Sequence, residues 1–222
     1  MRVYGGVGRH FTCASVLSTL WLIMTIEGQG YVAMRKTTIQ QYLGIDSNSV
    51  DHREKIISAL GGFVGILCVF YISKMFVGVE EAIYIIPSLG ASAVLIFAVP
   101  HSPLGQPWNV FGGHLFSALA GVICALLIPI EGLAAAASVG LAIIVMHCAR
   151  CIHPPGGATA LVAVIGGAKI HAMGFQFIVT PVLINTVTIL LLPVLFNSLF
   201  KWNKYPNCLT SKETETTLDV ND

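Results

Sequence analysis

Charged residues are nearly absent from the long middle of this chain. Between residues 56 and 200 the charged side chains are Lys74, Glu80, Glu81, Glu131, Arg150 and Lys169. Only 10% of the whole chain is charged and 55% is hydrophobic, whereas about 25% of an ordinary soluble domain is charged. Because so few charges cannot cover a water-exposed surface, the sequence predicts an integral membrane protein.

The apolar region divides into helix-sized segments. A helix needs about 20 mostly apolar residues to cross the hydrocarbon core. Breaks at charged or Pro/Gly-rich positions leave six segments, at 56–76, 82–99, 110–130, 132–149, 154–168 and 172–200. The second and fifth segments are short and carry Pro and Gly at their starts. The predicted fold is all-α, a polytopic transmembrane helical bundle.

The two short segments resemble each other. Residues 87–95 read PSLGASAVL and residues 154–162 read PPGGATALV, and a long apolar segment stands before and after each. This order predicts an internal repeat of long helix, short Pro/Gly-started helix and long helix. Chance similarity in an Ala- and Gly-rich chain is the alternative interpretation.

Basic residues near the segment ends predict the orientation. They precede the first segment and follow the last, at Arg35, Lys36, Arg53, Lys55, Lys201 and Lys204. Both termini of the core are therefore expected in the cytoplasm, with an even number of crossings. Six crossings would make the two repeats inverted, and four crossings with two re-entrant short segments would make them parallel. Six fits the basic residues slightly better, because it places Arg150 inside as well.

Three parts of the chain follow from this division. Residues 1–55 are predicted to be an N-terminal segment outside the core, 56–200 the transmembrane domain, and 201–222 a polar, disordered cytoplasmic tail. The apolar run at 11–26 fits a signal-peptide core, a further membrane segment or an organelle-targeting piece. Met34, followed by two basic residues, is an alternative start.

Several function classes lack support in the sequence. A net charge of +1 without clustered Lys and Arg excludes nucleic acid as a partner. Cys148, Cys151 and His153 have the spacing of metal ligands, but a second such pair is missing, so no metal and no other cofactor is predicted. No catalytic motif stands in the chain, which predicts that the protein is not an enzyme.

The Pro/Gly breaks are the candidate binding site. A helix that starts with Pro and Gly inside the membrane offers free N–H groups and a positive dipole end to an anion. The predicted substrate-binding residues are His153, Gly156, Gly157, Thr159, Ser88, Gly90 and Ser92. Predicted to gate or support them are Arg150, His101, Asn109 and His114. The alternative is that the small residues only let helices pack closely.

At these residues the chain resembles the HPP family of integral membrane proteins, named for the motif that stands here at 153–155. The resemblance covers about residues 40–200, including the stretches at 87–93, 100–114 and 153–161. It implies four membrane spans, and a role in nitrite uptake, which is connected with plastid members. We therefore expect a transporter or channel for a small, nitrite-like anion, with a non-transporting membrane scaffold or sensor as the alternative.

The same interpretation sets the expected partners and location. The partners are the lipid bilayer and a small anion, and an assembly of several copies is left open. A bacterial cell membrane is the expected host, with the plastid envelope as the alternative.

Overall fold

The computed structural model of this protein describes residues 51–200 and 204–207. The predictions for the run at 11–26, for Met34 and for residues beyond 207 lie outside these described residues.

The regular elements of the described chain are all helical. They are α1 (His52–Val77), α2 (Val79–Ala98), a 3-10 turn (Pro103–Gly105), α3 (Pro107–Leu127), α4 (Glu131–Cys148), α5 (Pro154–Ile165), α6 (Ala168–Met173), a π-helical turn (Ile178–Leu183) and α7 (Ile184–Phe200). Helices α1 to α4 and the stretch Ile178–Phe200 are long and apolar enough to cross a membrane. The prediction of an all-α, polytopic helical bundle is confirmed.

Local sequence accounts for where the helices begin. Asp51 caps α1, since its carboxylate accepts a hydrogen bond of 2.8 Å from the backbone N–H of His52. Glu80 and Glu81 lie in the first turn of α2, where negative charge offsets the helix dipole. Helices α3 and α5 begin at Pro107 and Pro154, because proline at the first helical position forfeits only an N–H that has no partner there.

The described part of the chain passes through the bundle six times, and the fifth passage, at 149–165, is only partly helical. Residues 149–153 form no helix and run beside the first turns of α3, where Trp108 Nε1 donates to Ala149 O at 3.1 Å and Asn109 Nδ2 donates to Ile152 O at 2.8 Å. Helix α5 then continues parallel to α3. The passage from 149 to 165 therefore runs along α3 through the bundle and does not turn back, since His153 adjoins Gly113 and Ala160 adjoins Gly121.

The close approach of α5 to α3 depends on small residues. A Cβ atom added to Gly156 would lie 2.6 Å from Gly113 O and 2.7 Å from Ser117 Oγ. Only glycine at this position lets the two backbones come together.

The contacts between helices follow the predicted inverted repeat. Helix α1 packs on α2 and α7, whereas α4 packs on α5 and α3. Exchanging α1 with α4, α2 with α5, and α3 with α7 converts one set of contacts into the other. Helices α2 and α5 cross at the centre and run antiparallel, because Ser88 contacts Thr159 while Ser92 contacts His153. The two halves are therefore inverted relative to each other.

The outer helices have lipid-facing surfaces. Phe63 on α1 is 66% exposed, and Ile144 on α4 is 60% exposed. Apolar side chains left outside in this way are what a bilayer requires of the bundle surface, whereas α2, α3 and α5 bury the polar groups between them.

Two predictions about the segments are wrong. The second segment is not short, since α2 runs for 20 residues and contains Pro87 in its interior. The short Pro/Gly-started helix therefore occurs only in the second half, as α5. The segment predicted at 172–200 is also not one helix, because Gly174 ends α6 and the non-helical backbone of Thr180 interrupts the helix before α7.

Candidate functional site

Five polar side chains meet in the interior of the bundle, and we call them the polar cluster. They are Ser88, Ser92, His114, His153 and Thr159, and each is less than 5% exposed. Since buried polar groups are costly unless they are hydrogen-bonded, their partners decide what the polar cluster can do.

Ser92 stands between the two histidines. Its Oγ lies 2.8 Å from His114 Nε2 and 2.8 Å from His153 Nε2. The two imidazole rings meet edge to face, with centroids 4.9 Å apart. On its other side, His153 Nδ1 donates to the carbonyl oxygen of Leu104 at 2.8 Å.

The hydrogen-bond chain continues from His114 to α5. His114 Nδ1 lies 2.7 Å from Thr159 Oγ1, which is 2.6 Å from Ser88 Oγ. Ser88 Oγ in turn donates to the carbonyl oxygen of Pro155 at 2.7 Å. A longer contact of 3.2 Å joins Ser92 Oγ to the Ser88 carbonyl one turn earlier in α2. The polar cluster is thus a continuous chain between the carbonyls of Leu104 and Pro155.

The local geometry of α2, of α3 and of the start of α5 accounts for the positions of the polar side chains. Ser88 and Ser92 are four residues apart and so lie on one face of α2. His114 lies seven residues into α3, about 10 Å from the start of that helix. His153 precedes α5 in extended conformation, with φ −140° and ψ 100°, which lets its side chain enter the bundle before the helix begins.

A small cavity adjoins the polar cluster. Its volume is about 10 Å³, which is roughly the room that one water molecule needs. Ser88, His114 and Thr159 line one side, and apolar residues including Phe177 and Val182 line the other. The residues that line it include no Asp, Glu, Lys or Arg, so its polar side offers only hydroxyl and imidazole groups.

The structure brings together four of the seven predicted binding residues, namely Ser88, Ser92, His153 and Thr159, and it adds His114, which was predicted to have a supporting role. The backbone N–H of Gly156 is not directed at a solute, since it donates to His153 O at 2.9 Å.

The other two glycines lie away from the polar cluster. An added Cβ on Gly157 would face Val139 of α4 at 3.9 Å, and one on Gly90 would face Ile66 of α1 at 3.9 Å. The prediction that these positions contact the substrate does not match their placement, which is at helix contacts.

The remaining supporting residues lie at the end of the bundle near Leu104. Asn109 fixes the extended stretch before α5 through the hydrogen bond from its Nδ2 to Ile152 O. His101 is exposed and contacts Asn207 Oδ1 at 3.0 Å through Nδ1. Arg150 is exposed and has a positive φ of 53°, so it turns the chain between α4 and the extended stretch.

Sequence reasoning missed two members of the site. The carbonyls of Leu104 and Pro155 end the hydrogen-bond chain. Which backbone carbonyl will accept such a bond cannot be predicted from a pattern of side chains. It also missed a second buried polar contact, in which Asn185 Nδ2 of α7 donates to Ser73 Oγ of α1 at 2.7 Å.

The fold and the polar cluster define a class, namely a multi-pass helical membrane protein whose two inverted halves enclose a polar centre. The chain belongs to the HPP family, since the HPP transmembrane region matches residues 47–206. The resemblance noted in the sequence is confirmed.

Two transmembrane proteins of Dictyostelium discoideum are similar to this chain. One is 40% identical over 153 residues, which are 67% of this chain and 49% of the relative. The other is 36% identical over 151 residues, which are 66% of this chain and 53% of the relative. The chain thus spans about half the length of these curated relatives. No solved structure matches it.

Proposed function

We propose that this protein carries a small inorganic anion, nitrite-like, across the membrane, and that the polar cluster is its binding site. The observation that supports this most is the composition of the polar cluster. Two histidines and three hydroxyl groups lie buried together between the halves, where many transporters hold their substrates near the bilayer midplane.

The chemistry of these groups favours an anion over a cation. Hydroxyl and imidazole N–H groups donate hydrogen bonds, and no carboxylate among the described residues contacts the five side chains. A cation would need carboxylate or carbonyl oxygens directed at it. The carbonyls that contact the polar cluster, those of Leu104, Pro155 and Ser88, each accept a hydrogen bond from it.

The cavity beside the polar cluster indicates that the described form is closed. An ion of three heavy atoms needs more room than about 10 Å³. Binding therefore requires a wall to move. Phe177 is the largest residue that lines the cavity, and it follows the turn at Gly174 and precedes the non-helical backbone at Thr180. We place the moving element there.

The alternative function is a non-transporting membrane scaffold or sensor. The observation that favours it is the small size of the cavity, because the five side chains already bond one another. In that case the polar cluster fixes the packing of α2, α3 and α5. Cytoplasmic termini and a bacterial cell membrane stay predictions under either function.

Nitrite uptake into liposomes separates the two functions. Purified protein in liposomes, assayed at neutral pH where little nitrous acid is present, should take up nitrite faster than empty liposomes. Ser92→Ala should abolish the difference, since it leaves both Nε2 atoms without their partner.

Ser138→Ala is the matched control for that experiment. Ser138 is equally buried, but it lies on α4 and bonds only the carbonyl of Ala135 in its own helix. Nitrite uptake by Ser138→Ala should therefore equal uptake by the wild type. Uptake by the wild type no faster than by empty liposomes would favour the scaffold.

A further inference from the structure

The hydrogen-bond chain of the polar cluster ends on an acceptor at both ends. From Leu104 O to Pro155 O it contains six contacts, and each is between 2.6 and 2.8 Å. A carbonyl oxygen brings no hydrogen. Every one of the six contacts must therefore be supplied with a hydrogen by one of the five side chains between them.

Those side chains are one hydrogen short when they are neutral. A serine or threonine hydroxyl carries one hydrogen, and a neutral imidazole carries one N–H. The five side chains then supply five hydrogens for six contacts. The longer contact from Ser92 to the Ser88 carbonyl only enlarges the deficit. Without a further proton, two lone pairs face each other at hydrogen-bond distance somewhere in the chain.

The two carbonyls place the missing hydrogen at Ser92. Leu104 O requires a hydrogen on Nδ1 of His153. At the other end, Pro155 O takes the hydrogen of Ser88, so that Thr159 donates to Ser88 and His114 donates to Thr159 through Nδ1. Both neutral histidines then direct a bare Nε2 at Ser92 Oγ, whose single hydrogen serves only one of them. A proton on the other Nε2 completes the chain.

The geometry limits the addition to one proton. Two imidazolium rings with centroids 4.9 Å apart would repel strongly in a medium of low dielectric constant. The polar groups bonded to the histidines are Ser92 from α2 and Thr159 from α5, with the Leu104 carbonyl from the loop. Among the described residues, the only titratable group in contact with either histidine is the other histidine, so no carboxylate of residues 51–200 or 204–207 balances the added charge.

We propose, as an extension of the proposed function, that the polar cluster binds one proton together with one anion. The proton resides on Nε2 of His114 or His153, across Ser92, and it comes from the solvent. A lone imidazolium buried without a counter-ion is costly, as is a lone buried anion. Each therefore stabilises the other, and the pair crosses the membrane without net charge.

The sharpest test is the variant Ser88→Ala. It deletes one hydrogen and two contacts, so that four hydrogens serve the four contacts that remain. Thr159 can then donate to His114 Nδ1. His114 donates through Nε2 to Ser92 Oγ, and Ser92 Oγ donates to His153 Nε2. The neutral polar cluster is complete, and the reason to take up a proton is gone.

Calorimetric titration of nitrite, in buffers that differ in ionisation enthalpy, counts the protons taken up per anion. We expect about one proton for the wild type and about none for Ser88→Ala. In the wild type the dissociation constant should also rise about tenfold per pH unit on the alkaline side. Ser138→Ala should behave as the wild type. Nitrite binding without proton uptake in the wild type, or equal uptake in Ser88→Ala, would overturn the proposal.

A second measurement decides the case if nitrite does not bind at all, which would contradict the proposed function only. Nitrogen NMR of histidine-labelled protein in nanodiscs, without any anion, reports the ring protonation directly. We expect the two buried histidines of the wild type to take up a single shared proton as the pH falls. In Ser88→Ala that step should move at least about one pH unit lower, which is tenfold in proton affinity. Identical titration of the two proteins would refute the shared proton.

Discussion

Helix α2 and the passage formed by residues 149–165 have similar sequences but different structures. In α2 the helix runs for 20 residues, through Pro87. In the other passage the chain is extended up to His153 and becomes helical only from Pro154. The two cross at the centre of the bundle, where each contributes two side chains to the polar cluster.

The difference shows how a similar motif serves two purposes. In α2 the serines reach the centre from a regular helix face. In the other passage a histidine reaches the centre from extended backbone, whose free polar groups are bonded by Trp108 and Asn109. Irregular backbone at membrane depth is tolerated only where protein satisfies it. The second half therefore needs the first helix turns of α3 as a partner, and α2 does not.

The largest expected effect distinguishes Gly156 of α5 from its neighbour Gly157 and from Gly90 of α2. Gly156→Ala should destabilise the protein by about 3 kcal/mol or more, because the new methyl group would overlap backbone atoms of α3. Gly157→Ala and Gly90→Ala should each change stability by less than about 0.5 kcal/mol, since their methyl groups meet only ordinary contacts. Unfolding in mixed detergent micelles measures all three. Equal effects at Gly156 and Gly157 would contradict the described packing.

The next effect concerns the aligned hydroxyls, Ser92 in α2 and Thr159 in α5. Thr159→Val keeps the volume but leaves His114 Nδ1 without its partner and removes one of the two partners of Ser88 Oγ. If a lost hydrogen bond to a charged group is worth about 1.5–3 kcal/mol, apparent nitrite affinity should fall roughly tenfold to a hundredfold. Titration of nitrite binding measures this change.

Two further variants control the Thr159 experiment. Thr159→Ser keeps the hydroxyl and should restore most of the affinity. Thr186→Val removes an equally buried hydroxyl that bonds the carbonyl of Val182 in the π-helical turn before α7 and no member of the polar cluster, and it should leave affinity unchanged. A loss of affinity in Thr186→Val equal to that in Thr159→Val would show that the site is elsewhere.

A smaller effect separates the two aligned prolines. Pro87 lies inside a helix, where it denies the carbonyl four residues earlier its N–H partner. Pro87→Ala should therefore stabilise the protein by about 1–2 kcal/mol, below the ~3 kcal/mol that an interior proline costs in water. Pro154→Ala, at a helix start, should change stability by no more than about 0.5 kcal/mol. The same unfolding assay compares them, and a destabilised Pro87→Ala would mean that the proline is needed where it stands.

The smallest effect on activity is expected from variants that report orientation. In chains that keep a single cysteine, Cys148 should be labelled by an impermeant thiol reagent from the cytoplasmic side only. A cysteine in place of Lys169 should be labelled from the opposite side only. The six passages put these positions at opposite ends of the bundle, since α5 separates them. Labelling of both from one side would contradict a crossing by residues 149–165.

Much of the fold could be predicted from the sequence. The scarcity of charge between 56 and 200 indicates membrane helices, because a helix satisfies its own backbone inside lipid. The positions of α1, α3 and α4 follow from apolar runs and their charged ends. The similarity of 87–95 to 154–162 correctly indicated two related halves, and the basic residues favoured six passages, which make those halves inverted.

What the sequence could not decide is how each motif is used. Pro87 and Pro154 have the same local propensity to break a helix, and only the neighbouring helices determine that one lies inside a helix and the other begins one. The sequence could not place the glycines for the same reason, since the same residue suits close approach to a ligand and close approach to a helix.

The polar cluster was decided by tertiary structure above all. Four of its residues could be named from the sequence as polar groups at Pro/Gly breaks, and His114 as a support. Their connection into one hydrogen-bond chain depends on two backbone carbonyls, and every residue has such an acceptor. Only the crossing of α2 and α5 beside α3 selects Leu104 and Pro155 from all the others, and with them the hydrogen that the neutral side chains cannot supply.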